Sequence, residues 1–315
     1  MEVIRISGKP PMRSFEPSVM ALGNFDGVHI GHQQIIKKAF DLAKTKELPL
    51  AVMTFDPHPR QVLGRGHTYD SLLTPLTEKV QLLKALGVDF VYVIEFNRMF
   101  AAISPEEFIR EYVKGLNAVD VVVGFDYTFG AGGLADTRVL KELAASFQMD
   151  SYIVPPVNRD GEKVSSSLIR EKLQLGDVKW AAELLGRPYF LAGHVVHGNK
   201  RGRLLGFPTA NLEPIGSFVI PKNGVYLIRA VIDGEEDCLS GVMNIGYKPT
   251  FEGERVRTLE AHLFDFAREI YGKQLHIEFL DFLREERKFL SAEELIAQIR
   301  CDIAEAKERY MKYQL

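Results

Sequence analysis

Residues 19–32 read VMALGNFDGVHIGH. The run Val19–Gly23 is apolar and short, as a buried strand is, and the residues after it change period. From Gly31 to Lys46, the apolar Ile35, Ile36, Ala39, Phe40 and Ala43 recur at helical spacing. A strand that enters a helix through a glycine-rich turn is one βα unit, and the same alternation continues downstream. Strands are predicted at Leu50–Phe55, Phe90–Glu95, Val119–Gly124 and Ser151–Val154, with helical stretches between them. The VDVVVG of residues 119–124 is apolar nearly throughout, as a strand covered on both faces must be. The N-terminal half is therefore expected to be an α/β domain built on a doubly wound parallel sheet.

In such sheets ligands bind at the loops leaving the C-terminal strand ends, where backbone N–H groups and the helix dipole favour a phosphate. Gly23, Gly27 and Gly31 would let the backbone approach a nucleotide closely. His29 and His32 lie on one side of the turn, where two imidazoles can donate to the same phosphoryl oxygens as charge builds. Two histidines alone would be read as a solvated helix start. Their coincidence with the glycines, the strand-to-helix turn and the HxGH spacing favours a phosphate site, with Gly23, Asn24, Phe25, Asp26 and Gly31 as its loop residues. His58, between two prolines, is as readily structural as functional.

The texture changes near Gly186, and the division is placed there, giving domains 1–186 and 187–315. Beyond it GHVVHG, GVYLIRAVIDG, DCLSGVMNIG, TLEAHLFDF and KQLHIEFLDFL are short β-branched and aromatic runs separated by Gly or Asp turns. They predict a small antiparallel β-barrel. A terminal helix follows from Ser291 to about Lys312, with Ser291 and Glu294 forming a capping box.

A second constellation spans residues 193–212. Gly198 and Gly206, with Lys200 and Arg203 between them, suggest a loop exposing backbone donors and cations ahead of Phe207 and Pro208. It is not a P-loop, since GxxxxGK[ST] is absent. A basic surface loop or an RNA contact would explain this loop alone. Thr209 and Asn211 shift the balance: two residues apart on an extended segment, they point the same way, and both offer neutral oxygens suited to Mg²⁺ beside substrate phosphates.

The tetrapeptide His29-Ile30-Gly31-His32 resembles the HIGH-type adenylyl and cytidylyl transferases. The longer GNFDGVHIGHQQII is similar to the bacterial bifunctional riboflavin kinase/FAD synthetases. MTFDPHP (53–59), FAAISPEEFI (100–109), VVVGFDYTFG (121–130) and VSSSLIR (164–170) extend that likeness in order, and GRLLGFPTANL, GVYLIRAV, GVMNIGYKPTF, LEAHLFDF and FLREERKFLSAEELIAQIRCDI carry it to the C-terminal region. The resemblance implies that Asn24, His29 and His32 hold the ATP phosphates, that Asp126 lies beside the nucleotide, and that Ser165, Ser166, Ser167 and Arg170 bind phosphate at the opposite rim. It also implies that Glu260 is the general base of the kinase, a role the local pattern does not single out between Thr258 and His262. Implied substrates and products are riboflavin, FMN, FAD and ATP/ADP, with Mg²⁺ required and ATP as co-substrate. Two departures stand out. Ser167 replaces the usual Thr, and residues 130–136 replace a loop that often carries a basic residue, for which Arg138 is the candidate substitute.

The bulk properties fit this reading. At 315 residues the chain has about the length of two common domains, and one or two are possible on length alone. A net charge of −3 supplies no field for collecting polyanions, so neither nucleic acid nor an anionic membrane is an expected partner. Cys238 and Cys301 form no CxxC, and no apolar run approaches bilayer length, so a cytoplasmic protein is expected, monomeric or weakly homo-oligomeric. Two rival readings remain: a kinase joined to a weak or differently specific nucleotidyltransferase, and a non-catalytic flavin-binding regulator.

Overall fold

The computed structural model describes residues 1–11, 15–64, 70–198, 202, 206–249 and 255–313. The chain forms two compact units, Met1–Ser166 and Ser167–Leu315.

The first unit carries a six-stranded parallel sheet made of β1 (Glu2–Ile6), β2 (Ser18–Leu22), β3 (Leu50–Asp56), β4 (Phe90–Glu95), β5 (Ala118–Gly124) and β6 (Asp150–Val154), in the order β1-β4-β3-β2-β5-β6. Its helices are α1 (Ile30–Lys46), the short α2 (Pro59–Val62), α3 (Leu76–Ala85), α4 (Pro105–Glu107), a π-helix at Phe108–Lys114, and α5 (Thr137–Ser146). Both faces are covered, which explains the near-continuous apolar strands. Met20 and Leu22 of β2 pack with Met53, Tyr92 and Ile94 against the π-helix and α5. The alternate Val19 and Ala21 pack with Val52, Val91 and Val93 against Ile35, Ile36 and Ala39 of α1. Each such large apolar side chain contributes about 1.5–3 kcal/mol when buried.

The five anticipated strands are present within one residue at either end. β1 was not anticipated: it is an edge strand whose EVIRI alternates charge with β-branched residues, and its burial is confined mainly to Ile6. The strand order turns between β3 and β5 on either side of β2, so the loops leaving β2 and β5 flank one crevice at the sheet's C-terminal edge. A small hairpin, β7 (Asn158–Arg159) and β8 (Glu162–Lys163), completes the unit.

The second unit begins with α6 (Ser166–Leu175) and α7 (Val178–Leu185). It continues as a closed antiparallel barrel of β9 (Tyr189–Val196), β10 (Ala210–Pro214), β11 (Gly224–Ile232), β12 (Cys238–Pro249), β13 (Arg255–Leu263) and β14 (Gln274–Arg284). Five strands were expected; the sixth, β10, is the ANLEP segment, which pairs with β9 and β13 and closes the ring. The terminal α8 (Ala292–Met311) lies against the barrel through Ile303, Ala306 and Tyr310. Two buried carboxylates fasten it. Asp302 receives Nε and Nη2 of Arg284, both at 2.8 Å, and Asp281 receives Arg309 at 2.6 Å and Lys179 of α7 at 2.8 Å. Removing one partner from such a buried pair leaves an uncompensated charge, which is why these contacts fix the helix. Ser291 caps α8 by accepting from Glu294 N, as the sequence predicts. The Glu294 carboxylate accepts from Leu290 N rather than from Ser291 N, because the extended backbone at Ser291 presents the preceding amide.

Candidate active sites

The turn after β2 is held in a conformation that few sequences tolerate. Phe25 and Val28 have φ of 50° and 43°, and Gly27 lies between them at 88°. Left-handed backbone at Phe and Val is costly and persists only where the surroundings fix it. Asp26 supplies one constraint: it is buried, and its Oδ1 accepts from Leu73 N and Thr74 N at 2.9 and 3.2 Å. Thr74 Oγ1 returns a bond by accepting from Gly27 N at 2.9 Å. Ser166 Oγ donates to the Asp26 carbonyl at 2.8 Å, which brings the serine run to the glycine turn. Phe25 is wholly buried, and its ring lies where a Cβ at Gly23 would come within 3.1 Å. Asn24 is exposed at the tip, while its carbonyl points inward and accepts from Thr54 Oγ1 at 3.0 Å and from Lys79 Nζ at 2.8 Å.

His29 is the N-cap of α1. Its Nδ1 accepts from His32 N at 3.2 Å, so in the neutral ring the proton sits on Nε2. Gly31 makes room for that ring, since a Cβ there would stand 3.1 Å from it. The His32 ring stacks on the His29 ring with centroids 3.6 Å apart and planes inclined by 15°. Burial, the neighbouring imidazole and the Lys79 ammonium together hold His32 well below the ordinary imidazole range. The result is a pair of stacked imidazoles at the positive end of a 17-residue helix.

Asp126, in the loop after β5, accepts from Lys163 Nζ of β8 at 2.6 Å, and that ammonium also lies 4.4 Å from the Phe125 ring centroid. Ser165 is half-buried, Ser167 is exposed and Arg170 is buried within α6. The Gly130–Asp136 loop ends on Asp136, which caps α5 through Arg138 N and Val139 N. Arg138 itself folds back onto the Asp136 carboxylate at 2.9 Å with its side chain 88% exposed. His58 also serves as a cap: its Nδ1 accepts from Arg60 N, and its own N–H donates to Gln61.

In the barrel, Asn211 of β10 stands directly opposite Glu260 of β13, and Glu260 stands directly opposite Asn244 of β12. Residues paired across strands share a face with Cβ atoms about 5 Å apart. One row therefore reads Asn211, Glu260, Asn244. Two residues along β13, His262 Nδ1 lies 2.8 Å from the Pro208 carbonyl and Phe207 meets its ring edge-on, which anchors the FPTAN segment beside Glu260. Gly198 and Gly202 are glycines for a steric reason. A Cβ at Gly198 would overlap the Asn211 amide, and one at Gly202 would overlap the Phe207 carbonyl and come within 3.2 Å of Thr209 Oγ1. Gly206 is exposed with φ of 86°. Lys200 and Arg203 lie outside the described residues. Sequence reading missed Lys79, Thr54, Lys163 and Asn244. The first three reach the site only through tertiary packing, and Asn244 only through strand register, although its GVMNIG context was among the matched segments.

The family model for FAD synthetase matches residues 12–168, and that for riboflavin kinase matches residues 185–310. The bifunctional riboflavin kinase/FMN adenylyltransferase of Bacillus subtilis (strain 168) is 46% identical over 291 residues, covering 92% of this chain and 91% of that protein. The enzyme of the same description from Escherichia coli (strain K12) is 37% identical over 294 residues, 93% of each chain. A crystal structure from Streptococcus pneumoniae, described as a macrolide-efflux protein, superimposes with a TM-score of 0.87 at 36% identity, over 95% of this chain and 97% of that one. Among the described residues no helix is long and apolar enough to cross a membrane. With both family models matched in order and relatives aligned over nearly their whole length, the chain belongs to the family of bifunctional riboflavin kinase/FMN adenylyltransferases.

Proposed function

We propose that the two reactions of this family are divided between two separate sites. The barrel transfers the γ-phosphoryl group of ATP to riboflavin, giving FMN and ADP. The parallel-sheet domain transfers the adenylyl group of a second ATP to FMN, giving FAD and pyrophosphate. The observation that carries this reading is the separation of the two polar constellations into two compact units, stacked histidines in one and the Asn211–Glu260 pair in the other. For function we keep the division at 186/187, with 1–186 for adenylyl transfer, because the serine run and Arg170 belong with the glycine turn in that chemistry.

In the kinase, the primary hydroxyl of the ribityl chain must lose its proton as it attacks phosphorus, and Glu260 is the base assigned to accept it. Asn211 and Asn244 flank that carboxylate and orient it. The exposed Gly206 and the Phe207-Pro208 segment, with Lys200, Arg203 and Gly198, form the loop assigned to ATP and flavin. The residues fit a magnesium ion: Thr209 and Asn211 are hard neutral oxygen donors, and two glycines keep the space around them. When bound there, the ion would neutralise charge spreading over the transferred phosphoryl group. Gly198→Ala tests the cradle. Its methyl displaces the Asn211 amide, so FMN formation is expected to fall about tenfold or more with a raised magnesium requirement, while FAD formation from supplied FMN continues.

Adenylyl transfer needs no carboxylate base, since the FMN phosphate is already anionic at neutral pH. His29 and His32 have the role of stabilising charge at the α-phosphate. Asn24, Gly23, Phe25, Asp26 and Gly31 shape the turn; Asp126 is assigned to the nucleotide, and Ser165, Ser166, Ser167 and Arg170 to the far phosphates. Arg138 is the candidate for the basic residue that the Gly130–Asp136 loop lacks, and slow turnover with FMN is the specific form a weaker transferase would take. A cytoplasmic setting is proposed on the two exposed, unbridged thiols of Cys238 and Cys301, and a monomer or weak homo-oligomer without nucleic acid on the low net charge. Purified protein incubated with riboflavin and MgATP is expected to yield FMN and then FAD, resolved by chromatography. Formation of neither product would sink the assignment, and turnover of phosphopantetheine above that of FMN would overturn the acceptor.

A further inference from the structure

Lys79 is the one cationic lysine side chain among the described residues that is fully enclosed. It is 3% exposed, and its Nζ donates to the Asn24 carbonyl at 2.8 Å and to Thr54 Oγ1 at 3.3 Å. Enclosing an ammonium is expensive unless its charge is matched or used. Burial pulls the Lys79 ammonium below the ordinary lysine range; its hydrogen-bond partners here are neutral, and the carboxylates that oppose this, Asp26 and Asp56, act through space. Asp26 is meanwhile occupied by the amides of Leu73 and Thr74. No step of either reaction assigned above uses this lysine.

Its position supplies the use. The Asn24 carbonyl is the first inward-pointing group of the turn, one residue before Phe25 with its φ of 50°, and Thr54 and Lys79 converge on that single oxygen. The same ammonium opposes a positive charge on His32. His32 Nδ1 is buried without a hydrogen-bond partner. That is tolerable for the bare lone pair of a neutral ring and costly for an N–H, so its proton belongs on Nε2. In a neutral His29 ring the proton also sits on Nε2, since Nδ1 accepts from His32 N. In their neutral forms the two stacked rings would each carry hydrogen on Nε2, with centroids 3.6 Å apart.

We propose that Lys79 is a positioning residue for adenylyl transfer: its buried ammonium braces the turn through the Asn24 carbonyl and keeps a positive charge behind the histidine pair. The proposal rests on the adenylyl-transfer reading of this unit. A cation placed behind neutral donors adds positive potential where charge develops, without forming an imidazolium that would hold the departing pyrophosphate.

The experiment is an imidazole-nitrogen NMR titration of the full chain, combined with separate FMN-forming and FAD-forming assays. In the wild-type protein His32 is expected to titrate below the ordinary value of about 6.5. Lys79→Met should raise its midpoint by about 0.5–1 unit and slow FAD formation about tenfold, with FMN formation within twofold of wild type. Lys79→Gln, which retains a donor to the Asn24 carbonyl but no charge, should raise the midpoint equally. A wild-type His32 titrating at or above 6.5 overturns the proposal, and does so even if neither variant folds. An unchanged midpoint in a folded variant, or full FAD formation by Lys79→Gln, overturns it as well. A wild-type protein that forms no FAD would instead sink the underlying assignment, and the His32 midpoint, read independently of turnover, tells the two failures apart.

Discussion

Glu260→Gln is expected to reduce FMN formation by about 10²–10⁴, the range set by loss of a general base, while FAD still forms from supplied FMN. The substitution preserves size and hydrogen-bonding capacity in a row that already holds Asn211 and Asn244, so the barrel should remain closed. The readout is kcat for riboflavin phosphorylation as a function of pH. The loss should appear in kcat rather than in KM. Equal loss of both activities in a folded variant would refute a separate kinase site. Retention of FMN formation within tenfold would remove Glu260 from the role of base.

The second large effect is expected at the histidine pair. His32→Ala should lower FAD formation by about 10²–10³, the range for one transition-state donor, and leave FMN formation untouched. His29 has a double role that allows a cleaner dissection. As N-cap it accepts from His32 N, and loss of a capping side chain costs about 1 kcal/mol, so His29→Ala mixes stability with catalysis. His29→Asn retains a capping oxygen and discards only the imidazole. It is expected to match wild type in thermal stability while losing FAD formation as severely as His32→Ala. Chromatographic separation of FMN and FAD, paired with a melting curve, checks both statements. FAD formation by His29→Asn at the wild-type rate would show that the cap, not the ring donor, is what this position contributes.

The motif-bearing elements were legible because their chemistry is local. The apolar run of β2, the turn glycines and the period of α1 sit within thirty consecutive residues, and the helix begins at Ile30, one residue before the expected start. What escaped the sequence depends on partners far along the chain. β1 hides its pattern because an edge strand buries so little, and β10 because five residues beginning just after Pro208-Thr209 carry too short a pattern to read as a strand. Lys79 looks like any solvent-facing residue of an amphipathic helix until tertiary packing encloses it. Asn244 acquires meaning only when register sets it beside Glu260.

The ring of six strands has one weak seam. β10 meets β13 through two residue pairs, Ala210 with Ala261 and Asn211 with Glu260, whereas β12 and β13 are joined through nine. The seam that turns an open sheet into a barrel is therefore the same contact that sets Asn211 beside Glu260. Zipping it shut and bringing those two side chains into one row are a single event.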